Sequence, residues 1–229
     1  MDGQLSLNRC LRQHHYLLLA ILLSLLVLAD QEASGQTPIS YGQTVQGTIS
    51  VKGEVQTYQF DGEIGDRIIL RANRISGSLH PKIEIRKPDG TVGIIQDPLN
   101  EGYNTSYRNW IDDYTLPSAG TYTVFVHDDN GWDLGGFIFT FQRWNSPISP
   151  KTISYGDTKL DTIALNTQIK IYQFTGQIGD KIILRLNRMS GSLHPTINIL
   201  KPDGTVGFVQ GPLNEGYNTS YRNWIDDYT

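Results

Sequence analysis

Cysteine is nearly missing: the 229 residues contain one, Cys10. A single cysteine excludes a disulfide framework and a cysteine-based zinc site. Charge is sparse too, at 18% of residues, below the roughly 25% of an average soluble protein. Lys and Arg number 19 against 23 Asp and Glu, a net charge of −4. That balance gives no electrostatic footprint for nucleic acid. Long apolar runs are absent apart from one short stretch, so a polytopic membrane protein is excluded. No segment after residue 36 sustains a helical period over three turns, which argues against a helical domain. The motifs G-x-S-x-G and H-E-x-x-H and a glycine-rich phosphate loop are also missing.

What is present begins with an address. Arg9 and Arg12 precede an uncharged apolar run from Tyr16 to Ala29, 14 residues long. A membrane-spanning helix needs about 20. A basic start, a short apolar core and small residues afterwards describe a secretory signal peptide over residues 1–35, cut after Ala29 or Gly35. Cys10 precedes the run, so it is no lipobox cysteine and leaves with the signal. The expected location is secreted or cell-surface, or periplasmic where the host has an outer membrane. Membrane contact is expected only during export.

The remainder is one unit written twice. Residues 39–115 align without gaps on 153–229 at a constant offset of 114, and 54 of the 77 pairs are identical. Pro98 to Thr115 recurs unchanged as Pro212 to Thr229. The first unit is placed at 38–144 and the second at 152–229. Residues 145–151 form a linker stiffened by Pro147 and Pro150. The second unit has no counterpart of Leu116 to Arg143, which read as the last two strands of the first. The expected explanation is a sequence that continues in a longer protein. The other reading is an incomplete sheet that accepts a strand from a partner.

Within the unit, short β-rich runs are split by Gly, Pro, Asn and Asp. Strands are expected near 44–51, 55–61, 66–75, 81–87, 91–96, 107–115, 120–127 and 135–142. Tyr122, Val124 and Val126 alternate with polar neighbours, and Phe137, Phe139 and Phe141 alternate in the last strand. A period of two puts each apolar set on one sheet face. Lys87-Pro88-Asp89-Gly90 is a turn, with Pro presetting φ and Gly favoured at the fourth position. Eight short strands in such a unit point to an all-β fold, an antiparallel β-sandwich, repeated in tandem.

The order of motifs carries a family resemblance. Tyr58-Gln59-Phe60 is followed by Gly65-Asp66, Leu79-His80-Pro81, Lys87-Pro88-Asp89-Gly90, Leu116-Pro117-Ser118-Ala119-Gly120-Thr121-Tyr122 and the Phe137–Phe141 strand. This resembles the bacterial pre-peptidase C-terminal domain, in two tandem copies of which the second is incomplete. The resemblance implies a jelly-roll-like sandwich, related in shape to the collagen-binding modules of clostridial collagenases. It also implies a non-catalytic accessory role in exported bacterial proteins, often beside a secreted peptidase. The chain departs from the family at His80 and His194, where members commonly have Asp. It departs again at Gln96-Asp97-Pro98 and Gln210-Gly211-Pro212, where many carry an Asp-rich stretch. Both departures weaken the case for calcium of the collagen-binding kind.

Candidate sites are few. Ser78 and His80 stand two apart on extended chain, which makes no triad. His127 reads as a solvent-facing histidine on an edge strand. Asp112 and Asp113 are expected to point to opposite faces of a strand, unable to chelate together. Asp128, Asp129, Asn130 and Asp133 crowd one loop. Such hard oxygen donors make a candidate calcium site, although an Asp/Asn/Gly hairpin turn accounts for them more simply. No other cofactor is expected. The binding candidate is the aromatic segment with Tyr103, Tyr107, Arg108 and Trp110, repeated as Tyr217, Tyr221, Arg222 and Trp224. Exposed rings beside polar groups suit an extracellular glycan or matrix protein; the plainer alternative buries Trp110 with Ile111 in the core. The functional expectation is therefore a non-enzymatic exported module array for targeting, spacing or adhesion. The alternatives are a carbohydrate- or matrix-binding module, or an accessory part of a longer secreted hydrolase.

Overall fold

The computed structural model describes residues 35–100, 107–211, 213–214 and 221–229. The signal segment therefore lies outside the described residues. The chain divides into two units, Met1–Gln36 and Thr37–Thr229, and all the described strands belong to the second. The first copy supplies ten strands: β1 Thr37–Pro38, β2 Thr44–Ile49, β3 Val55–Gly62, β4 Arg67–Arg74, β5 Pro81–Arg86, β6 Val92–Gln96, β7 Leu99–Asn100, β8 Tyr107–Thr115, β9 Gly120–Asp128 and β10 Gly135–Arg143. They form two five-stranded sheets, β1-β3-β9-β5-β6 and β2-β10-β4-β8-β7. Every pairing is antiparallel except β1 with β3. The all-β sandwich expected from the alternation is the fold observed.

One core lies between the sheets. Tyr58, Phe60, Ile83, Ile85, Tyr122, Val124 and Val126 face it from one side; Ile68, Leu70, Ala72, Ile111, Phe137, Phe139 and Phe141 face it from the other. Rings set its geometry: Phe60 lies 4.5 Å from Phe141 and 5.2 Å from Tyr122, and Tyr58 meets Phe139 edge-on at 4.9 Å. Such pairs add roughly 0.5–1.5 kcal/mol each beyond their buried area. The Tyr122 hydroxyl donates to the Ser118 carbonyl at 2.8 Å, which pins the corner where the chain enters β9. The Lys87–Gly90 turn forms as expected: Gly90 N–H donates to Lys87 O (2.9 Å) with Gly90 at φ +79°.

Three expectations need correction. His127 is not on an edge strand, because β9 lies between β3 and β5. Asp112 and Asp113 do not point to opposite faces. A bulge between the Leu70–Ile111 and Ile68–Tyr114 pairs inserts one residue, so Asp113 pairs with Arg67 and Asp112 with Arg71, two arginines on one face of β4. Trp110 does not join Ile111 in the core; Ile111 is buried inside while Trp110 stands half-buried on the outer face.

The second copy supplies β11 Lys151–Thr152, β12 Tyr172–Gln173, β13 Ile182–Asn187, β14 Ile197–Leu200, β15 Val206–Gln210, β16 Leu213–Asn214 and β17 Tyr221–Tyr228. Its pairings obey a simple rule. Each first-copy pairing that does not use β9 or β10 recurs 114 residues later in the same register: Thr37↔Tyr58 as Lys151↔Tyr172, Leu70↔Ile111 as Leu184↔Ile225, Ile83↔Gln96 as Ile197↔Gln210, Leu99↔Arg108 as Leu213↔Arg222. Even the β8 bulge recurs. Among the described strands β2 pairs only with β10, and its counterpart at 158–163 forms no strand. β3 pairs with β9 along eight residues, and its counterpart keeps only the two residues that pair with β11.

Candidate functional site

The aromatic candidate site is built on β8 and β4. Asn109 and Ile111 point into the core, so Arg108 and Trp110 share the outer face. Trp110 lies opposite Arg71 in the ladder. The Arg71 guanidinium lies 4.6 Å and that of Arg108 3.8 Å from the Trp110 ring centroid. The indole N–H donates to Asn73 Oδ1 at 3.3 Å. Burial, with Arg71 close by, pushes the Arg108 guanidinium below its ordinary value. Arg71 in turn pairs with Asp112 at 2.7 Å. The result is a cation-flanked indole, held in orientation by a sheet. Each cation over the ring contributes about 0.5–1 kcal/mol or somewhat more at such a half-buried site.

Of the other residues in this candidate, Tyr107, Tyr221, Arg222 and Trp224 fall on β8 and β17, with side chains outside the described residues. Tyr103 and Tyr217 also lie outside the described residues. Arg71 was invisible in the sequence, because its place beside Trp110 depends on cross-strand register. Asn109 was missed as well. Its amide reaches from one sheet to the other, donating to Pro81 O at 3.1 Å and to Gln96 O.

The acidic loop joins β9 to β10. Asp128 is buried, and its oxygens organise the backbone: Oδ1 accepts from His80 N–H (2.9 Å), Oδ2 from Trp132 and Asp133 N–H (3.1 Å each). Asn130 Oδ1 accepts from Trp132 N–H at 2.8 Å, an Asx turn. Asp129 is drawn away to Lys82 at 3.1 Å. His80 instead comes close to the loop, with Nδ1 at 3.4 Å from Asp133 Oδ2. Among the described residues, His80, Asp128 and Asp133 bring one donor atom each within 4.8 Å of one another. Hydrogen bonds from Ser78 and Asn130, with His80 and Arg74 near, hold the Asp133 carboxyl below its ordinary value against a small desolvation cost.

This set does not fit calcium, which takes six to eight oxygens. Here Asp129 is turned to a lysine, Asn130 and Asp128 serve the backbone, and the third converging group is an imidazole. Nor is it a nucleophilic triad. Ser78 bonds to the Asp133 carboxylate, which also faces His80 Nδ1 at 3.4 Å, so the carboxylate takes the middle place that a triad gives to the imidazole.

No family model and no curated protein matches the chain. Among solved structures, the chain is similar to the pre-peptidase C-terminal domain of a collagenase from Bacillus anthracis: 11% identity, TM-score 0.36, 49% of this chain and 100% of that one. It is also similar to PliG of Aeromonas hydrophila, a periplasmic inhibitor of g-type lysozyme: 13% identity, TM-score 0.30, 47% of this chain and 96% of that one.

Proposed function

We propose that this chain is a non-catalytic, exported β-sandwich module array that serves in targeting, spacing or adhesion outside the cytoplasm. One observation carries the reading. The side chains best suited to chemistry, Asp128, Asp133 and His80, are used to fold a loop, with Asp128 accepting three backbone N–H groups. The signal-like start, the repeated unit and the motif order shared with pre-peptidase C-terminal domains support export and an accessory role. The test is an assay of the purified chain against casein, collagen and a panel of polysaccharides. No turnover is expected. Hydrolysis that a single substitution abolishes would overturn the proposal.

A second reading has its own observation: the outward Trp110 flanked by Arg71 and Arg108. It makes the module a binder of extracellular glycan or matrix protein. Two guanidiniums at the ring favour an acidic sugar or peptide over a neutral one. A glycan array and a collagen pull-down with wild type and Trp110→Ala test it, with melting temperature confirming that the variant folds. Binding lost in the variant supports the reading; binding absent or unchanged removes it. Calcium is tested apart from both. A native-state ligand raises the melting temperature, and millimolar calcium is expected to leave it unmoved.

A further inference from the structure

The two copies share a Lys-Pro-Asp-Gly turn but not its surroundings. In both, the glycine N–H donates to the lysine carbonyl at 2.9 Å, the glycine sits at φ +79°, and the aspartate accepts from the N–H of the threonine that follows the turn. Gly90 is exposed, and a Cβ built on it would meet nothing within 4 Å. Gly204 is buried, and a Cβ there would stand 2.5 Å from Asn145 Cβ. The Gly204 carbonyl accepts from the Arg67 guanidinium of the first copy, and the charge of Asp203 acts on the same group. Asn145 is itself fixed to the first copy. Its Oδ1 accepts from Arg67 N–H at 3.0 Å, and its amide donates to Gly65 O at 2.9 Å. Trp144 N–H donates to Arg67 O at 2.7 Å, and its indole N–H to Asp112 O. The start of the linker is therefore bonded down as the wall of a socket.

A second contact carries its own mark. Positions 53 and 167 close equivalent turns, in which the N–H of the next residue bonds back to Val51 O or Leu165 O. In the first copy the position is Gly53, at φ +75° with open space around it. In the second copy it is Thr167, at φ +70°. A β-branched residue in that region is strained, and such strain persists only where the surroundings over-determine it. The Thr167 hydroxyl lies 2.9 Å from that of Thr140. Thr140 alternates with the core-facing Phe139 and Phe141, so it stands on the outer face of β10, and it is 1% exposed.

We infer that the second copy is docked on the outer face of the β2-β10-β4-β8-β7 sheet as a fixed neighbour, held by the Lys201–Gly204 turn against Arg67 and Asn145 and by Thr167 on Thr140. Modules joined by a linker and few contacts move relative to one another by default. Two separate anchors remove that freedom, so the array presents its repeated faces at constant spacing and angle. The first copy shows that neither anchor is needed to form its turn: Gly90 and Gly53 make the same turns with nothing against them. The docking stands whether or not the array binds a glycan.

The experiment measures the distance between the copies in the full chain. Ile95 and Val209 are equivalent exposed positions on β6 and β15. Both are changed to Cys for spin labels, with Cys10→Ser, and double electron–electron resonance gives the distance distribution. One narrow distance is expected. Thr167→Gly restores the first copy's residue and relieves the turn, so the second copy keeps its fold. Combined with Asn145→Ala, it is expected at least to double the width of the distribution. Gly204→Ala is expected to widen it as well. Gly90→Ala has the same backbone strain and nothing to strike, and is expected to leave the width unchanged. Three results would overturn the inference: a broad distribution in the unsubstituted background, a Thr167→Gly/Asn145→Ala pair as narrow as that background, or equal widening by Gly90→Ala and Gly204→Ala.

Discussion

Tyr122 combines a buried ring stacked on Phe60 with a hydroxyl bonded to the Ser118 carbonyl. The ring and the hydroxyl can be separated by substitution. Tyr122→Phe keeps the ring and is expected to cost about 1 kcal/mol in urea unfolding. Tyr122→Ala is expected to cost about 3–5 kcal/mol, since it also opens a cavity. Tyr58 carries a different signal. Burial pushes its phenol from 10.0 up to about 12. The folded state therefore holds this proton more tightly than the unfolded chain. The associated stability is complete below pH 10, the unfolded value, and is lost as pH rises through about 12. Melting temperature is expected to fall across that window, and less steeply in Tyr58→Phe. Tyr41, raised by burial and by its bond to Asp66, keeps part of the slope in that variant.

Elements were the most legible scale. The eight strands of the first copy fall within a residue or two of where alternation and turn residues place them, because each is long enough to show a period. β1 and β7 were not legible: two-residue pairings carry no period. The bulge at Asp112–Asp113 was hidden for a related reason, since an inserted residue changes phase without changing composition. Strand order was hidden too, so His127 looked like an edge residue and Arg71 gave no hint of Trp110. The candidate site thus depended on register, the property a single strand does not encode. Register also governs the best test at this scale. Gly47→Asp writes the residue of position 161 into the first copy, against the Phe137 ring. It is expected to destabilise the fold by about 1–3 kcal/mol through overpacking against that ring. Phe137→Ser in the same chain is expected to return part of that loss, a coupling that a urea double-mutant cycle measures directly.

At the scale of the whole molecule, the duplicated sequence controls for chemistry while the topology varies. Ile68-Ile69-Leu70-Arg71 in β4 and Ile182-Ile183-Leu184-Arg185 in β13 are identical. Intrinsic exchange rates of their amides are then nearly the same, and any difference reports structure. β4 is bonded on both sides, to β10 and to β8, whereas among the described strands β13 is bonded only to β17. Alternate amides of β4 point to alternate neighbours. In β13 the set corresponding to the β10 side has no ladder partner among the described strands, and its core side is partly open. Protection tracks the free energy of local opening, which falls with lost ladder bonds and lost apolar contacts. Those β13 amides are expected to exchange at least a hundredfold faster than their counterparts in β4, while the set facing β17 stays closer to the β8-facing set. Native-state exchange read residue by residue on the full chain checks this. Equal protection in the two segments would mean that β13 is covered in solution by another segment or a second molecule, and the contrast in burial between the copies would lose its meaning.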